Sequence, residues 1–346
     1  MTKKVLFVTS ISPHKSAGLA IDYISVLENL GYSVDILTKY KEKDLKNRVI
    51  SAYDYFEPEA KQHLSLAQRI KKRFPFLSKL HNPSYYFYRK KVSTYSYLIN
   101  EKEDMPPVPS ELFLHKLEEK YDFAMVLFWH FMFSSKSIGD IYQKLKAPIF
   151  LCVADMIPMT GGCTYVNNCK NFLEHCGFCP VLGKQRYEDQ TFINYSYKHK
   201  VYNSSDVVFL GNTWLNEFAK KAKLFQNVPV RQLLCITNED FFNIKDKKQS
   251  RNCFGISDNC FLMFVGAVNL NLERKGFKYL ISAVNEFSKK VNMENKQILL
   301  MTAGQNHQEY YDYFHINIKQ VGFLSASELS IAYSASDVFL CPSIED

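Results

Sequence analysis

The sequence predicts an α/β protein of two domains in tandem, each a parallel sheet with helices on both faces. Three observations predict it. At 346 residues the chain is long enough for two ordinary domains. Short apolar runs suited to buried parallel strands alternate with segments of helical periodicity. After a polar stretch near Asn238 the alternation begins again. The predicted domains are 1–235 and 236–346.

VLFVTS (Val5 to Ser10) reads as the first strand. A polar loop, ISPHKSAG, follows it. Ala20, Ile24, Leu27 and Leu30 then recur at helical spacing, and Gly31 is placed to end that helix in left-handed conformation. Val34, Ile36 and Leu37 open the next strand, completing a βαβ unit. From about 51 to 109 the chain is basic, aromatic and Pro-punctuated, and reads as helices and loops inserted into the first domain. FAMVLFW and APIFLCVAD resume the strands, with a helix around Ser137 to Lys146 between them. VVFLGN follows, then a helix carrying Trp214, Phe218 and Ala222. In the second domain FLMFVGAV, QILLMTAG, VGFL and DVFLCPS read as strands. The helix between the first two carries an apolar stripe at Phe277, Leu280, Ile281, Val284 and Phe287. Ser325 and Glu328 form a capping box for the helix containing Leu329 and Tyr333. Ligands of such sheets bind beyond the carboxyl ends of the strands, so a cleft between the two domains is the expected site.

Composition narrows the function. Apolar residues make up 47% of the chain, enough for ordinary cores. No apolar run reaches the ~18 residues of a membrane helix, and FAMVLFWHFMF is interrupted by His130. The opening MTKKVLFVTS lacks the long apolar region of a signal peptide and reads as a strand. A reducing cytoplasm is the expected location, and the odd number of cysteines, nine, argues against a complete disulfide framework. Net charge is +8, and from Lys61 to Lys102 ten basic residues stand against one acid, Glu101, interleaved with aromatics such as Phe74 and Tyr85. That mixture suits an anionic membrane surface, and a plain solvated face fits it equally. No nucleic-acid partner is expected.

GxGxxG, GxxxxGK[ST] and GxSxG are all absent, and GKQ at Gly183 to Gln185 lacks the spacing and the hydroxyl of a P-loop. These absences disfavour nicotinamide enzymes, P-loop kinases and serine hydrolases. Within FVGAVNLNLERKGFKYLISAV, a strand ends near Gly266, and Arg274 and Lys275 stand where a helix begins. Cations beside a helix N-terminus make an anion pocket suited to a diphosphate, though solvated loop charges have the same sequence.

Three segments carry a resemblance to glycosyltransferase family 4. DMIPMTGGCTY, with its trailing cysteines and CPVL, resembles the DM-x-P-[LF]-TGGCHY…CP-x-L segment of one branch. FVGAVNLNLERKGFKYLI resembles the family's donor-binding strand, loop and helix, and ASDVFLCPSIED its A-D-x-x-x-x-PS-x-x-E motif. The resemblance spans essentially the whole chain. It implies the GT-B fold, two Rossmann-like domains facing across a cleft. It also implies retaining transfer from a UDP- or GDP-linked sugar, with no cofactor required for catalysis. On that resemblance Arg274 and Lys275 hold the donor phosphates, with Gly266, Glu345 and Asp346 on the donor side. Gly18 and Asp155 fall on the acceptor side, and His130 joins Asp155 as a candidate catalytic residue. For both, a bland alternative stands: a turn-capping Asp and a packed His.

The sequence departs from the family at Ala154, where many members have His, and at Thr164, the His of GGCHY. The second acid of the family's C-terminal pair has no counterpart after Asp346. The second domain is therefore expected to be incomplete, and the chain alone to transfer sugar poorly.

Cys163, Cys169, Cys176 and Cys179 crowd the loop 161–180. A structural zinc site, unligated packed thiols and redox activity are all compatible with this spacing. The function expected is a hexosyltransferase of surface polysaccharide synthesis, acting on a saccharide or polyprenyl-linked saccharide acceptor at the inner membrane face. The alternatives are a catalytically dead protein that binds a nucleotide sugar or a partner, and, on the cysteines alone, a metal-cluster redox protein.

Overall fold

The computed structural model describes residues 3–13, 19–57, 102–118, 120–182, 186–237, 241, 243, 245–290, 297–305 and 311–345. The chain divides into two compact units, Met1–Ile236 and Thr237–Asp346.

In the first unit the elements run β1 (Lys3–Thr9), α1 (Leu19–Asn29), β2 (Tyr32–Thr38), β3 (Arg48–Ser51), α2 (Glu111–Leu114), β4 (Phe123–Leu127), α3 (Ser135–Leu145), β5 (Ile149–Cys152), α4 (Asn171–Glu174), α5 (Gln190–Ser204), β6 (Val207–Gly211), α6 (Thr213–Lys221) and β7 (Val230–Gln232). The seven strands form one sheet in the order β3-β2-β1-β4-β5-β6-β7, every pair parallel. β1 is central, and Val5 to Val8 are wholly buried because helices cover both faces. Leu6 and Val8 join the core on one face; Val5 and Phe7 join the core on the other. That split follows from the two-residue period of a strand. Gly31 ends the α1 region at φ 85°, as the sequence predicts. Leu30, expected on the helix's apolar stripe, lies past the helix and is 69% exposed.

The second unit runs α7 (Lys247–Cys253), β8 (Cys260–Ala267), α8 (Phe277–Lys290), β9 (Gln297–Gly304), β10 (Asn317–Gly322), α9 (Ala326–Ala335) and β11 (Val338–Phe339). Its sheet has the order β10-β9-β8-β11, again all parallel. Both sheets therefore begin with the same 3-2-1-4 arrangement of strands. α8 buries Phe277, Leu280 and Val284, with Ile281 and Phe287 packed at the margin. The α9 capping box forms as predicted: Ser325 Oγ accepts the Glu328 N–H, and the Glu328 carboxylate accepts the Ser325 N–H at 2.7 Å.

Several elements differ from the sequence expectation. The polar, charged stretch from Asn243 to Asn259, in which the sequence predicts no element, contains α7. VGFL was expected as a strand; β10 takes in Val321 and Gly322 but begins at Asn317 and stops at Gly322, leaving Phe323 exposed. Among the described residues no helix is long and apolar enough to cross a membrane. The basic-aromatic stretch lies almost wholly in residues 58–101, outside the described residues, as do Gly18 and Asp346.

Candidate active site

In the first unit the order of strand addition reverses between β1 and β4, and the loops leaving that point are where an open parallel sheet binds ligands. The two loops are tied together, since the Ser10 N–H donates to the Phe128 carbonyl at 2.7 Å. Phe128 (φ 54°) and Phe131 (φ 59°) both take the left-handed conformation. For a bulky aromatic residue that costs on the order of 1 kcal/mol or more, and it persists only where surroundings impose it. Here they do. Trp129 is buried between the two, and its carbonyl accepts the Phe133 N–H at 2.9 Å. Lys39 Nζ donates to the Phe131 carbonyl at 2.7 Å. The clamped turn carries His130 just past the end of β4.

Asp155 lies just past the end of the neighbouring strand, β5. Its Oδ2 stands 2.5 Å from His130 Nε2, while its Oδ1 accepts the Ile157 N–H at 2.9 Å and caps the 3-10 turn Ile157–Met159. The two expectations for Asp155, turn cap and site acid, are met by different oxygens of one carboxylate. Accepting from Nε2 assigns the imidazole proton to that nitrogen and leaves Nδ1 as an acceptor. Nδ1 is buried and finds no hydrogen-bond partner among the described residues. The pair opens on a pocket of about 300 Å³ lined by Phe128, Trp129 and His130 from one loop and Ala154, Asp155 and Pro158 from the other.

The loop after Asp155 is held from below by Lys198 of α5. This ammonium is fully buried, donates to the carbonyls of Ile157 (2.6 Å) and Thr160 (2.8 Å), and pairs with Glu103 at 3.0 Å. Glu103 in turn accepts from Ser135 N–H and Oγ at the start of α3. A charge this deep requires both partner and hydrogen bonds, and it has them. Sequence reasoning missed Lys198 and Glu103, because nothing in their neighbours marks them as buried.

In the second unit Arg274 and Lys275 follow β8. They do not open α8, as expected; they form a 3-10 turn, Glu273–Lys275, that ends at Gly276 before the helix starts. Gly276 has φ 67°, and a Cβ there would sit 2.0 Å from the Pro342 carbonyl oxygen. Only glycine satisfies both demands. That close approach brings the segment after β11 onto the cationic turn: the Ile344 N–H donates to the Arg274 carbonyl at 2.7 Å, and Arg274 Nη1 reaches the Glu345 carbonyl at 3.4 Å. β8 and β11 are neighbours, so the turn lies at the second unit's own reversal of strand order. Gly266 sits near the end of β8 opposite Ala303, where a Cβ would make only ordinary contacts. Sterics do not require glycine there.

Cys163, Cys169, Cys176 and Cys179 all line one pocket in the first unit. Burial pushes the Cys163 thiol well above its usual range, the Cys176 thiol up to about 12, and the Cys179 thiol upward, with neighbouring thiols adding to each. Among the described residues no group of three or more His, Cys, Asp or Glu stands ready to hold a metal ion. Of the three readings the sequence leaves open for these thiols, structural zinc finds no preformed site among the described residues. His175, beside Cys176, turns to Ser196 Oγ (3.0 Å) and the Cys176 carbonyl.

No protein-family model matches the chain, and no curated protein sequence does. Solved structures do. A glycosyltransferase from Rickettsia africae ESF-5 superimposes with TM-score 0.54 at 10% identity, covering 99% of this chain and 73% of that one. The α,α-trehalose 6-phosphate synthase of Burkholderia multivorans gives 0.53 at 9% identity, over 98% and 76%. Anabaena Alr3699/HepE, solved in complex with UDP, gives 0.50 at 11% identity, over 99% and 74%. At such identities the likeness speaks to fold, and the fold it shows is GT-B, built from two Rossmann-like α/β units.

Proposed function

We propose that this chain is a retaining glycosyltransferase that moves a hexosyl group from a nucleoside-diphosphate sugar to a saccharide acceptor in surface polysaccharide synthesis. The carrying observation is the turn Arg274–Lys275, locked by Gly276 against Pro342 at the strand-order reversal of the second unit. Two cations on a preorganised turn neutralise a pyrophosphate as it leaves, without rearranging to do so. UDP is the favoured nucleotide, since HepE, of similar fold, was solved with it; GDP is the second choice.

In this reading the bond from the sugar's anomeric carbon to the diphosphate oxygen breaks. A bond to the acceptor hydroxyl forms on the same face, and the acceptor's proton passes to the departing diphosphate. His130, oriented by Asp155, lines the pocket in which a sugar would be held. No metal takes part in the transfer. A polyprenyl-linked acceptor at the inner membrane face would suit the basic-aromatic stretch, and that contact belongs to the same proposal.

A binding protein without turnover is the second reading. Ala154 favours it: an exposed alanine stands at the pocket beside Asp155, where the resembling family often has histidine. The experiment is to supply purified chain with UDP- and GDP-sugars and oligosaccharide acceptors, and to follow free nucleoside diphosphate and the anomeric configuration of any product. Slow acceptor-dependent release with retained configuration is expected. Nucleotide binding without release would replace the enzyme by the binder; neither binding nor release would remove both.

A further inference from the structure

We propose that one face of α5 sets the geometry of the His130–Asp155 pair, with Asn194, Lys198 and Tyr202 as positioning residues and Glu103 as their link to the His130 turn. The proposal rests on the transferase reading, in which that pair lines the sugar pocket. Asn194, Lys198 and Tyr202 stand four residues apart on α5, so their side chains share one face. All three are buried, and each donates to backbone carbonyls of the loop after Asp155. Asn194 Nδ2 donates to Gly161 at 3.0 Å, Lys198 Nζ to Ile157 at 2.6 Å and Thr160 at 2.8 Å, and the Tyr202 hydroxyl to Pro158 at 3.0 Å. Four of the five carbonyls from Ile157 to Gly161 are thereby fixed by one helix.

The same face reaches the other loop of the pocket through Glu103. Its Oε1 pairs with Lys198 at 3.0 Å, and its Oε2 accepts from the Ser135 N–H at 2.6 Å and the Ser135 hydroxyl at 2.7 Å. The Glu103 carbonyl accepts from Ser134 Oγ at 2.7 Å, and the Glu103 N–H donates to Asn194 Oδ1 at 3.2 Å. Ser134 and Ser135 are where the clamped turn that carries His130 enters α3. Lys198 Nζ also lies 5.7 Å from the centroid of the Trp129 ring, next to His130 in the chain, within cation–π range. One buried ion pair therefore holds both loops in register.

Packing alone does not call for these groups. An apolar stripe on α5 would fill the space without desolvating an ion pair, and replacing such a pair by hydrocarbon is often neutral or stabilising. Hydrocarbon cannot donate to four carbonyls, and those bonds decide where Asp155 stands relative to His130. A misplacement of about 1 Å at a reacting site can cost on the order of 100-fold in rate. Gly161 adds to the constraint: a Cβ there would sit 2.2 Å from the carbonyl oxygen of Thr191 on α5, so the loop seats on the helix more closely than a side chain would allow.

Steady-state kinetics, UDP calorimetry and imidazole NMR on the full chain test this together. In wild type the His130 Nε2–H held by Asp155 should give a slowly exchanging proton resonance, assigned by its absence from His130→Gln. Lys198→Met leaves the Glu103 charge buried without its partner and should lower the melting temperature markedly. Glu103→Gln/Lys198→Met removes both charges, so the melting temperature should recover toward wild type. Its kcat should nevertheless stay about 10- to 100-fold down and the His130 resonance stay lost, with UDP affinity unchanged. Tyr202→Phe removes a single donor, and should shift the resonance and lower kcat with little change in melting temperature. Recovery of kcat and resonance along with stability in the double variant would show a purely structural role and overturn the proposal, as would a wild type without the resonance. If the Lys198 variants do not fold, Tyr202→Phe decides, and an unmoved resonance overturns the proposal. A wild-type chain that turns over no donor removes the transferase reading instead, and the resonance then judges the positioning by itself.

Discussion

His130 is fixed from two directions. Left-handed phenylalanines on either side set the direction of its turn, and the Asp155 carboxylate sets the rotation of its ring and the position of its proton. Because the other Asp155 oxygen caps the following 3-10 turn, two substitutions separate the roles. Asp155→Asn can keep the cap through its carbonyl while losing the charge that holds the imidazole proton. We expect it to lower turnover about 10- to 100-fold while the melting temperature shifts by only about 2–4 °C. Asp155→Ala loses both and should lower stability by a further ~1 kcal/mol, the usual worth of a cap. Steady-state kinetics beside thermal melts check this. Turnover unchanged in Asp155→Asn would leave Asp155 as a cap alone. Arg274, Lys275, His130 and Asp155 were all legible as candidates because strand ends and short motifs mark them. Lys198 was not, since a lysine carries no sequence sign of burial.

At the scale of elements, legibility followed hydrophobic periodicity. The central strands β1, β4, β5, β8 and β9 are continuous apolar runs, and α8 carries its stripe. The edge strands β3 and β7 are only four and three residues long, and β7 is mostly polar and exposed, so no run announced them. α5 escaped for a different reason: its buried face carries Thr191, Asn194 and Lys198 between Tyr195, Val201 and Tyr202. A helix whose core face is polar has no amphipathic pattern to read. α7 is similar, because its buried residues are Ser250 and Arg251. Arg251 ties three elements together: it donates to the Ala335 carbonyl at the end of α9 (3.1 Å) and pairs with Asp337 at 2.7 Å, while Asp337 also accepts the Leu262 N–H of β8 at 2.7 Å. Burial alone would raise the Asp337 carboxyl. The Lys247 and Leu262 hydrogen bonds and the Arg251 charge outweigh it and hold the group below the usual carboxylate range. A carboxylate depressed in the folded state gives stability that is present above its unfolded pKa and lost as pH falls through the folded one. The second unit's urea midpoint should therefore fall as pH drops below about 4. Asp337→Asn should cost roughly 2 kcal/mol at neutral pH, discounted for the partial exposure of the pair, and should flatten that acid dependence. An acid profile identical in wild type and variant would show that Asp337 is not the titrating group.

Across the whole molecule, two sheets that share a 3-2-1-4 strand order each place chemically equipped loops at the reversal of that order. In the first unit these loops carry the His130–Asp155 pair; in the second, the Arg274–Lys275 turn. Sequence foresaw two α/β units from the restart of the strand–helix alternation, and the solved structures of similar shape are glycosyltransferases. What sequence did not show was how Gly276 and Pro342 interlock. That contact joins residues distant along the chain, and no local pattern encodes it. The central claim is that the cationic turn binds a diphosphate, and calorimetric titration of UDP into wild type and into Arg274→Ala/Lys275→Ala tests it most directly. Two charge-assisted contacts are worth about 1.5–3 kcal/mol each, so affinity should fall at least ~100-fold in the double variant. UDP binding of equal strength to both proteins would contradict the account.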